Sequence, residues 1–200
     1  RVLLKLSGEV FGGESGLGLD PDVLNTMAAN VKAAVDLGTN VAIVIGAGNI
    51  FRGETLKAAA DQAGMRRVTA DHIGMLGTVI NALAFRDALD RAGAPAIAFS
   101  PGGISGVAEV YSSRAALGAL AAGRVAILSG GTGNPFFTTD TAACLRGRDI
   151  CPRCRRLKQV RRRSRVASGV VPHMNQRNVW WTHTASGRGI RWAGSRRSMT

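Results

Sequence analysis

The stretch Val41-Ala42-Ile43-Val44-Ile45-Gly46-Ala47-Gly48-Asn49 carries the clearest fold signal in this 200-residue chain. It begins with five apolar residues, most of them β-branched. Such a run is typical of a parallel strand that is covered on both faces. Glycines follow the run at once, so the stretch predicts a buried parallel strand that leads directly into a glycine-rich joint.

Strands and helices alternate on both sides of this stretch as far as residue 150. Apolar runs predict three further strands, at residues 2–6, 96–99 and 125–128. Apolar stripes predict three helices, at residues 21–37 with Asp20 as the N-cap, at residues 69–91, and at residues 112–122. This order indicates an α/β fold, an open, mostly parallel sheet with helices on both faces.

A second glycine-rich joint follows the strand predicted at residues 125–128 and leads into another helix. It reads Gly130-Gly131-Thr132-Gly133-Asn134-Pro135-Phe136-Phe137-Thr138-Thr139-Asp140. Its glycines let backbone N–H groups approach an anion, its phenyl rings offer a stacking face, and its last three residues can cap a helix. Because such sheets bind ligands at the carboxyl ends of their strands, we expect a nucleotide here; an ordinary connecting loop is the alternative.

Two basic residues lie at the same predicted edge. Lys5 lies near the end of an apolar strand and is followed by Leu6-Ser7-Gly8, and Arg52 comes just after the joint at residues 46–49. A lysine there is costly unless its amine reaches a crevice, where a positive charge between phosphates suits phosphoryl transfer. Arg52 is a candidate phosphate clamp. A snorkelling edge lysine is the alternative for Lys5.

Several common classes are excluded by the sequence. It has no G-x-x-x-x-G-K-[ST] motif, so it is not a P-loop kinase, and Phe51 stands where a dinucleotide fingerprint needs a small residue. No apolar run approaches the ~20 residues of a membrane helix, and no export leader is recognised. Three cysteines give no disulfide framework, so we expect a cytoplasmic protein.

The composition changes abruptly after Ile150. Residues 151–200 hold 13 of the 26 Lys and Arg residues, all three Trp and none of the 13 Asp and Glu, so this segment carries the whole net charge of +13. We therefore predict an incomplete domain at residues 1–150 and a basic, poorly ordered tail at residues 151–200 outside the fold. The tail would bind nucleic acid nonspecifically. Its cysteine and histidine spacing does not favour a zinc module.

Four motifs in order closely resemble the bacterial uridylate (UMP) kinases, which have the amino acid kinase fold. They are residues 5–9, 44–53, 70–76 and 131–140. The resemblance covers about residues 1–150, and the family's next strand and ATP-base segment are not recognisable after it. It implies transfer of the γ-phosphate of MgATP to UMP in the cytoplasm, by a homohexamer that responds to GTP and UTP. ATP with Mg²⁺ is thus the expected cofactor, with no resident metal site.

The resemblance also implies roles for individual residues. The catalytic residues would be Lys5, Arg52 and Asp140. The ATP-binding residues would be Lys5, Leu6, Ser7, Gly8, Gly48 and Arg52. The UMP-binding residues would be Ala47, Asp71, Thr132, Gly133, Asn134, Pro135, Phe136, Phe137, Thr138 and Thr139. Among these, Asp71 would hold the ribose hydroxyls, and Asp140 would position Mg²⁺ or orient the acceptor.

Two functions stay open on the sequence alone. One is a UMP kinase, with its activity either intact or impaired by the abnormal C-terminus. The other is a noncatalytic, kinase-like nucleotide-binding body that carries a basic nucleic-acid arm. For the origin of the tail our hypothesis is a frameshift, because an acid-free, Arg-rich, Trp-containing segment is typical of a GC-rich gene translated out of frame.

Overall fold

A computed structural model describes residues 1–51 and 62–150, together with the backbone of residues 159–160 and 181–182. Within these ranges the main sheet has five strands, β1 (Val2–Leu6), β2 (Val41–Ile45), β3 (Ala96–Ser100), β4 (Glu109–Val110) and β5 (Val125–Leu128). The α-helices described are α1 (Pro21–Asp36), α2 (Arg67–Arg91), α3 (Ser113–Ala121) and α4 (Thr139–Ile150). A 3-10 turn, Gly8–Gly12, follows β1.

The five strands are all parallel and lie in the order β4-β3-β5-β2-β1. The outer edge of β1 carries two short pairings, with β6 (Gln159–Val160) in parallel and with β7 (Trp181–Thr182) in antiparallel orientation. Strand β2 sits between β1 and β5 and is buried along its whole length. The predicted open, mostly parallel sheet is therefore confirmed, and the glycine-rich joints lie at its carboxyl edge.

Alternate residues of the strands face two separate apolar cores. Leu4, Ile43 and Ile127 pack with helices α1 and α2, where Phe11 and Phe85 are in ring contact at 5.2 Å between centroids. The intervening strand residues, such as Val44, pack with α3 and α4 on the opposite face. Burial on both faces explains why the central strands read as continuous apolar runs.

Side-chain caps fix the starts of two helices, α1 and α3. The Oδ1 atom of Asp20 accepts hydrogen bonds from the N–H groups of Asp22 and Val23, at 3.0 and 3.2 Å. The hydroxyl of Ser112 accepts one from Ala115 N–H at 3.0 Å. Each cap satisfies backbone donors that the first helical turn leaves unpaired. Helix α1 therefore begins just after the predicted N-cap, Asp20, whereas α3 begins one residue later than predicted because Ser112 is its N-cap and not its first helical residue.

Helix α2 is the longest in the described part of the chain and is unusually apolar. By length and composition it could cross a membrane, since its most apolar window has a mean hydropathy of 1.3. Core helices of soluble proteins meet the same criterion, so this is weak evidence for a membrane. Ala82, Phe85 and Leu89 are fully buried against the sheet. Burial in the core thus accounts for the apolar residues of α2 that face the sheet, whereas Leu76, Ile80 and Leu83 remain exposed.

Candidate functional site

Three loops occupy the carboxyl edge of the sheet, and the structure brings the first two into direct contact. We call residues 5–8 the lysine loop, residues 46–49 the central loop and residues 130–138 the aromatic loop. The N–H of Gly46 donates to the carbonyl of Leu6 at 2.9 Å. A Cβ on Gly8 would lie only 2.5 Å from the backbone nitrogen of Gly48. Only glycine allows the lysine and central loops to approach this closely.

The side chain of Lys5 reaches across from β1 to the first turn of α4. Its Nζ atom lies 2.8 Å from Oδ1 of Asp140. The lysine side chain is 6% exposed, whereas that of Asp140 is 47% exposed. A buried ammonium group requires such a partner, because leaving it unpaired costs several kcal/mol, of the order of the desolvation of one ion. Two predicted catalytic residues, 135 positions apart in sequence, thus meet beside the loops.

The carboxylate of Asp71, in the second turn of α2, joins this helix to the aromatic loop. The N–H of Phe136 donates to Oδ2 of Asp71 at 2.7 Å, and Nε of Arg67 donates to Oδ1 at 2.9 Å. Partial burial raises the pKa of Asp71, but these two hydrogen bonds together with nearby positive charge, mainly that of Arg67, outweigh it, so the pKa lies below its ordinary value. Asp71 is therefore an ionised acceptor at neutral pH.

The backbone of the aromatic loop needs its glycines. Gly130, Gly131 and Gly133 all have positive φ, and a Cβ on Gly130 would lie 2.6 Å from Cδ of Pro101. Phe136 also has a positive φ, of 70°, the only non-glycine residue to do so in the described ranges. This conformation is uncommon for a bulky residue and marks local strain.

The aromatic loop presents two phenyl rings to solvent. The exposed fractions are 65% for Phe136 and 59% for Phe137. Further along, Oγ1 of Thr138 accepts from the N–H of Thr141 at 3.3 Å, which caps α4 as the sequence predicted. Thr132 Oγ1 accepts from Asn134 N–H at 3.1 Å, so the middle of the loop closes on itself. The predicted UMP-binding residues 132–139 therefore form one segment that presents stacking surface and hydroxyl groups.

The central loop rests on α2. The N–H groups of Ile50 and Phe51 both donate to the carbonyl of Ala47 at 3.0 Å, which makes the loop a tight turn. A Cβ on Gly77 of α2 would lie 3.0 Å from Cβ of Ala47, so the methyl group of Ala47 faces the helix. Arg52, the predicted phosphate clamp, lies outside the described residues.

Sequence reasoning missed three polar residues that hold these loops. Asn49, Thr78 and Asn81 are 1%, 4% and 0% exposed, respectively. Asn49 lies in the glycine-rich joint after β2, and no role was predicted for its side chain. Thr78 and Asn81 are polar residues within a long apolar helix, where an unpaired polar group would be costly. This pattern could have identified them from the sequence.

A large cleft lies elsewhere, between α2 and the β3–β4 edge. Its volume is about 950 Å³, and Arg86, Ile104, Glu109 and Arg124 are among its lining residues. It contains none of the predicted site residues. Arg86 donates to the carbonyl of Val107 at 2.9 Å, and Arg124 to that of Ala96 at 3.2 Å. The loop cluster, with its glycines and its buried lysine, therefore remains the candidate site.

The same part of the chain matches known proteins. The sequence pattern of the amino acid kinase family matches residues 1–159. The uridylate kinases of Pseudoalteromonas atlantica and Aeromonas salmonicida are each 55% identical to this chain over 150 residues. These matches cover 75% of this chain but 59% and 60% of the relatives. The chain thus spans about three fifths of the length of its curated relatives.

Solved structures match over the same region. The UMP kinase from Bacillus anthracis superposes with a TM-score of 0.68 at 38% identity, covering 74% of this chain and 59% of that one. The UMP kinase from Ureaplasma parvum gives the same TM-score at 30% identity, covering 74% and 63%. The α/β fold of the described residues is therefore shared with these structures.

Proposed function

Because this chain belongs to the amino acid kinase family, we propose that its three loops form a nucleoside monophosphate kinase site that transfers the γ-phosphate of ATP to UMP. The observation that carries the proposal is the contact between Lys5 and Asp140, because it holds a buried positive charge at the carboxyl edge of the sheet, where the three loops lie. The 55% identity to uridylate kinases supports UMP as the acceptor.

Phosphoryl transfer at this site depends on positioning and charge neutralisation. The UMP phosphate is already ionised near neutral pH, so its oxygen can attack the γ-phosphorus without a general base. The ammonium group of Lys5 would stabilise the negative charge on the moving phosphoryl group, and the backbone N–H groups around Gly8 and Gly48 would contact the ATP phosphates. Asp140, in contact with Lys5, would keep the ammonium group in place.

The acceptor would lie against the aromatic loop. Phe136 and Phe137 offer exposed rings for stacking the uracil base, and Asp71 offers an ionised carboxylate for the ribose hydroxyls. Because Asp71 already accepts from Phe136 N–H, its contact with the ribose would also fix the loop around the base. Selectivity for UMP over CMP would reside in this loop.

Mg²⁺ would arrive with ATP, bound mainly by phosphate oxygens, and would neutralise charge on the β- and γ-phosphates. No group of three or more His, Cys, Asp or Glu residues capable of holding a metal is found in the described ranges. Asp140 fits a single carboxylate contact to such an ion, since it is half exposed and carries the hard oxygen ligands that Mg²⁺ prefers.

Oligomeric assembly, regulation and location are part of the same proposal. Leu76, Ile80 and Leu83 form an exposed apolar stripe on α2, at 56%, 46% and 39% exposure, and this stripe supports a homo-oligomer. A hexamer, a response to GTP and UTP and a cytoplasmic location follow from the resemblance to bacterial UMP kinases. Light scattering of the purified chain measures its oligomeric state directly.

A coupled assay of ADP release tests the proposed reaction. The full 200-residue chain is supplied with MgATP and with UMP, CMP or no acceptor. We expect ADP release with UMP and much less with CMP. Release that is independent of UMP would contradict the proposal, as would no release from a folded chain. Salt-sensitive RNA binding in that last case would favour the noncatalytic body with a basic arm.

A further inference from the structure

The buried polar side chains of the described residues are gathered at one edge of the sheet. Lys5, Asn49, Ser100 and Ser129 lie at or just beyond the carboxyl ends of β1, β2, β3 and β5. The two others, Thr78 and Asn81, come from α2. A buried polar group is costly unless it is hydrogen-bonded, so the hydrogen bonds of Thr78 and Asn81 indicate the role of these two side chains.

Asn81 holds the central loop through a reciprocal pair of amides. Its Nδ2 atom donates to the carbonyl of Gly46 at 2.8 Å and to Oδ1 of Asn49 at 2.7 Å. In return, Nδ2 of Asn49 donates to Oδ1 of Asn81 at 2.9 Å and to the carbonyl of Gly18 at 2.6 Å. Both amides are therefore satisfied in the protein interior, and Asn81 fixes both ends of the central loop to α2.

Thr78 holds the base of the aromatic loop. Its hydroxyl accepts a hydrogen bond from the N–H of Gly130 at 2.7 Å and donates to the carbonyl of Met75 at 2.7 Å. Gly130 is the first residue of the loop and has a left-handed backbone. Thr78 and Asn81 are three positions apart, so they lie on neighbouring turns of one face of α2.

We propose that Thr78 and Asn81 are positioning residues, which set the spacing between the central and aromatic loops and thereby between the two bound nucleotides. They act through the loop backbones and are not themselves placed at the reacting atoms. The inference rests on the proposed function for its meaning in catalysis. One structural consequence does not depend on that function. Because each residue holds one loop, loss of either residue should loosen only the loop that it holds.

Hydrogen exchange on the ligand-free 200-residue chain tests this separation. Thr78→Val keeps the side-chain shape but removes the acceptor for Gly130 N–H, so exchange should rise in the peptide spanning residues 129–138 and stay unchanged at residues 46–51. Asn81→Leu should give the reverse pattern. Thr78→Ser, which keeps the hydroxyl, should restore protection. Equal acceleration in both loops by either variant would overturn the proposal.

A matched control separates positioning from general loss of stability. Asn40 donates to the carbonyl of Leu120 at 2.9 Å, at the opposite edge of the sheet. Asn40→Ala should lower the melting temperature without accelerating exchange in either loop. Acceleration at residues 129–138 by Asn40→Ala to the extent seen in Thr78→Val would show a merely structural effect and overturn the inference.

UMP titration adds the functional readout. With one hydrogen bond to the aromatic loop lost, Thr78→Val should weaken UMP binding roughly tenfold, and Thr78→Ser should restore it. UMP affinity that is unchanged in Thr78→Val would contradict the functional part of the inference. If the unsubstituted chain bound no UMP, the proposed function would fail, while the exchange pattern would still decide whether Thr78 and Asn81 position the loops.

Discussion

Lys5, with its buried ammonium group, is the residue on which the proposed chemistry depends most. It is paired with one carboxylate, that of Asp140, which is half exposed and can be solvated if the pair is lost. Lys5→Met should therefore change stability little, because replacing a buried ion pair by an apolar group is often neutral when the remaining charge reaches water.

Lys5→Met should nevertheless abolish catalysis. We expect UMP-dependent ADP release to fall about 100-fold or more, since a positive charge on the moving phosphoryl group is lost. Lys32→Met is the matched control, because Lys32 pairs with Asp36 on α1 and not with the loops. Near-normal turnover in Lys5→Met would show that Lys5 is a structural residue.

Asp71 makes stability depend on pH in a defined direction. Its folded-state pKa lies below the ordinary 3.8, so it stabilises the fold above that value, and this contribution is lost as the pH falls through the folded-state pKa. Asp71→Asn lacks the charge at every pH. The melting temperatures of the two proteins should differ at pH 7 and converge as the pH falls below about 4. A constant difference across this range would contradict the hydrogen bonding assigned to Asp71.

At the scale of elements, the glycine contacts between loops determine whether the site can form. A Cβ on Gly8 would lie within 2.6 Å of both Gly48 N and Gly46 O, and backbone atoms cannot yield cheaply. Gly8→Ala should separate the lysine and central loops and destabilise the fold by about 1–3 kcal/mol. Denaturant unfolding of the variant measures this loss.

Gly118→Ala is the control for that variant. Gly118 lies in α3, where a Cβ would meet nothing within 4 Å, so this change should stabilise the protein by up to ~1 kcal/mol through helix propensity. If Gly8→Ala and Gly118→Ala destabilised the protein equally, the close backbone contact at Gly8 would not explain the loss of stability.

Elements with strong local signals were predictable from the sequence. Strands β1, β2 and β5 have the predicted bounds because each is a continuous apolar run. By contrast, α2 begins at Arg67 and not at residue 69. Its N-cap residue, Arg66, makes no side-chain cap, so the sequence carries no capping signal at this boundary. Strand β4 was missed, since two exposed residues give no pattern. Strand β3 is one residue longer than predicted.

Contacts between elements were less predictable than the elements themselves. The glycine-rich joints could be placed at one edge because parallel strands end together. The pairing of Lys5 with Asp140, and of Asn49 with Asn81, depends on how α4 and α2 are set on the sheet. A single sequence holds no local signal for that placement, so these pairs emerged only from the structure.

At the scale of the whole molecule, the chain divides by charge. The described residues 1–51 and 62–150 contain the loops of the proposed site, whereas residues 151–200 carry the net charge of +13. Apart from the backbone of β6 and β7, that segment lies outside the described residues, so the boundary at residue 150 stays a prediction. The frameshift hypothesis has a direct check. Another reading frame of the gene should encode the ATP-base segment of UMP kinases, and its absence from all frames would contradict the hypothesis.

The basic segment should also affect binding by the whole chain. Thirteen added positive charges would attract RNA through its phosphates, with an affinity that falls steeply as salt displaces these contacts. Fluorescence anisotropy with an unstructured RNA at about 50 and about 200 mM salt, roughly the range over which such contacts weaken, measures this salt dependence. Binding that is insensitive to salt would point to specific recognition instead.

A calorimetric titration of UMP into the full chain measures directly whether the aromatic loop and Asp71 form a UMP site. We expect one saturable site, weakened about tenfold or more by Asp71→Asn through the lost charge-assisted contact to the ribose. Asn40→Ala should leave the affinity unchanged. No saturable binding to a folded chain, or equal affinity in the Asp71→Asn variant, would contradict a UMP site at these loops.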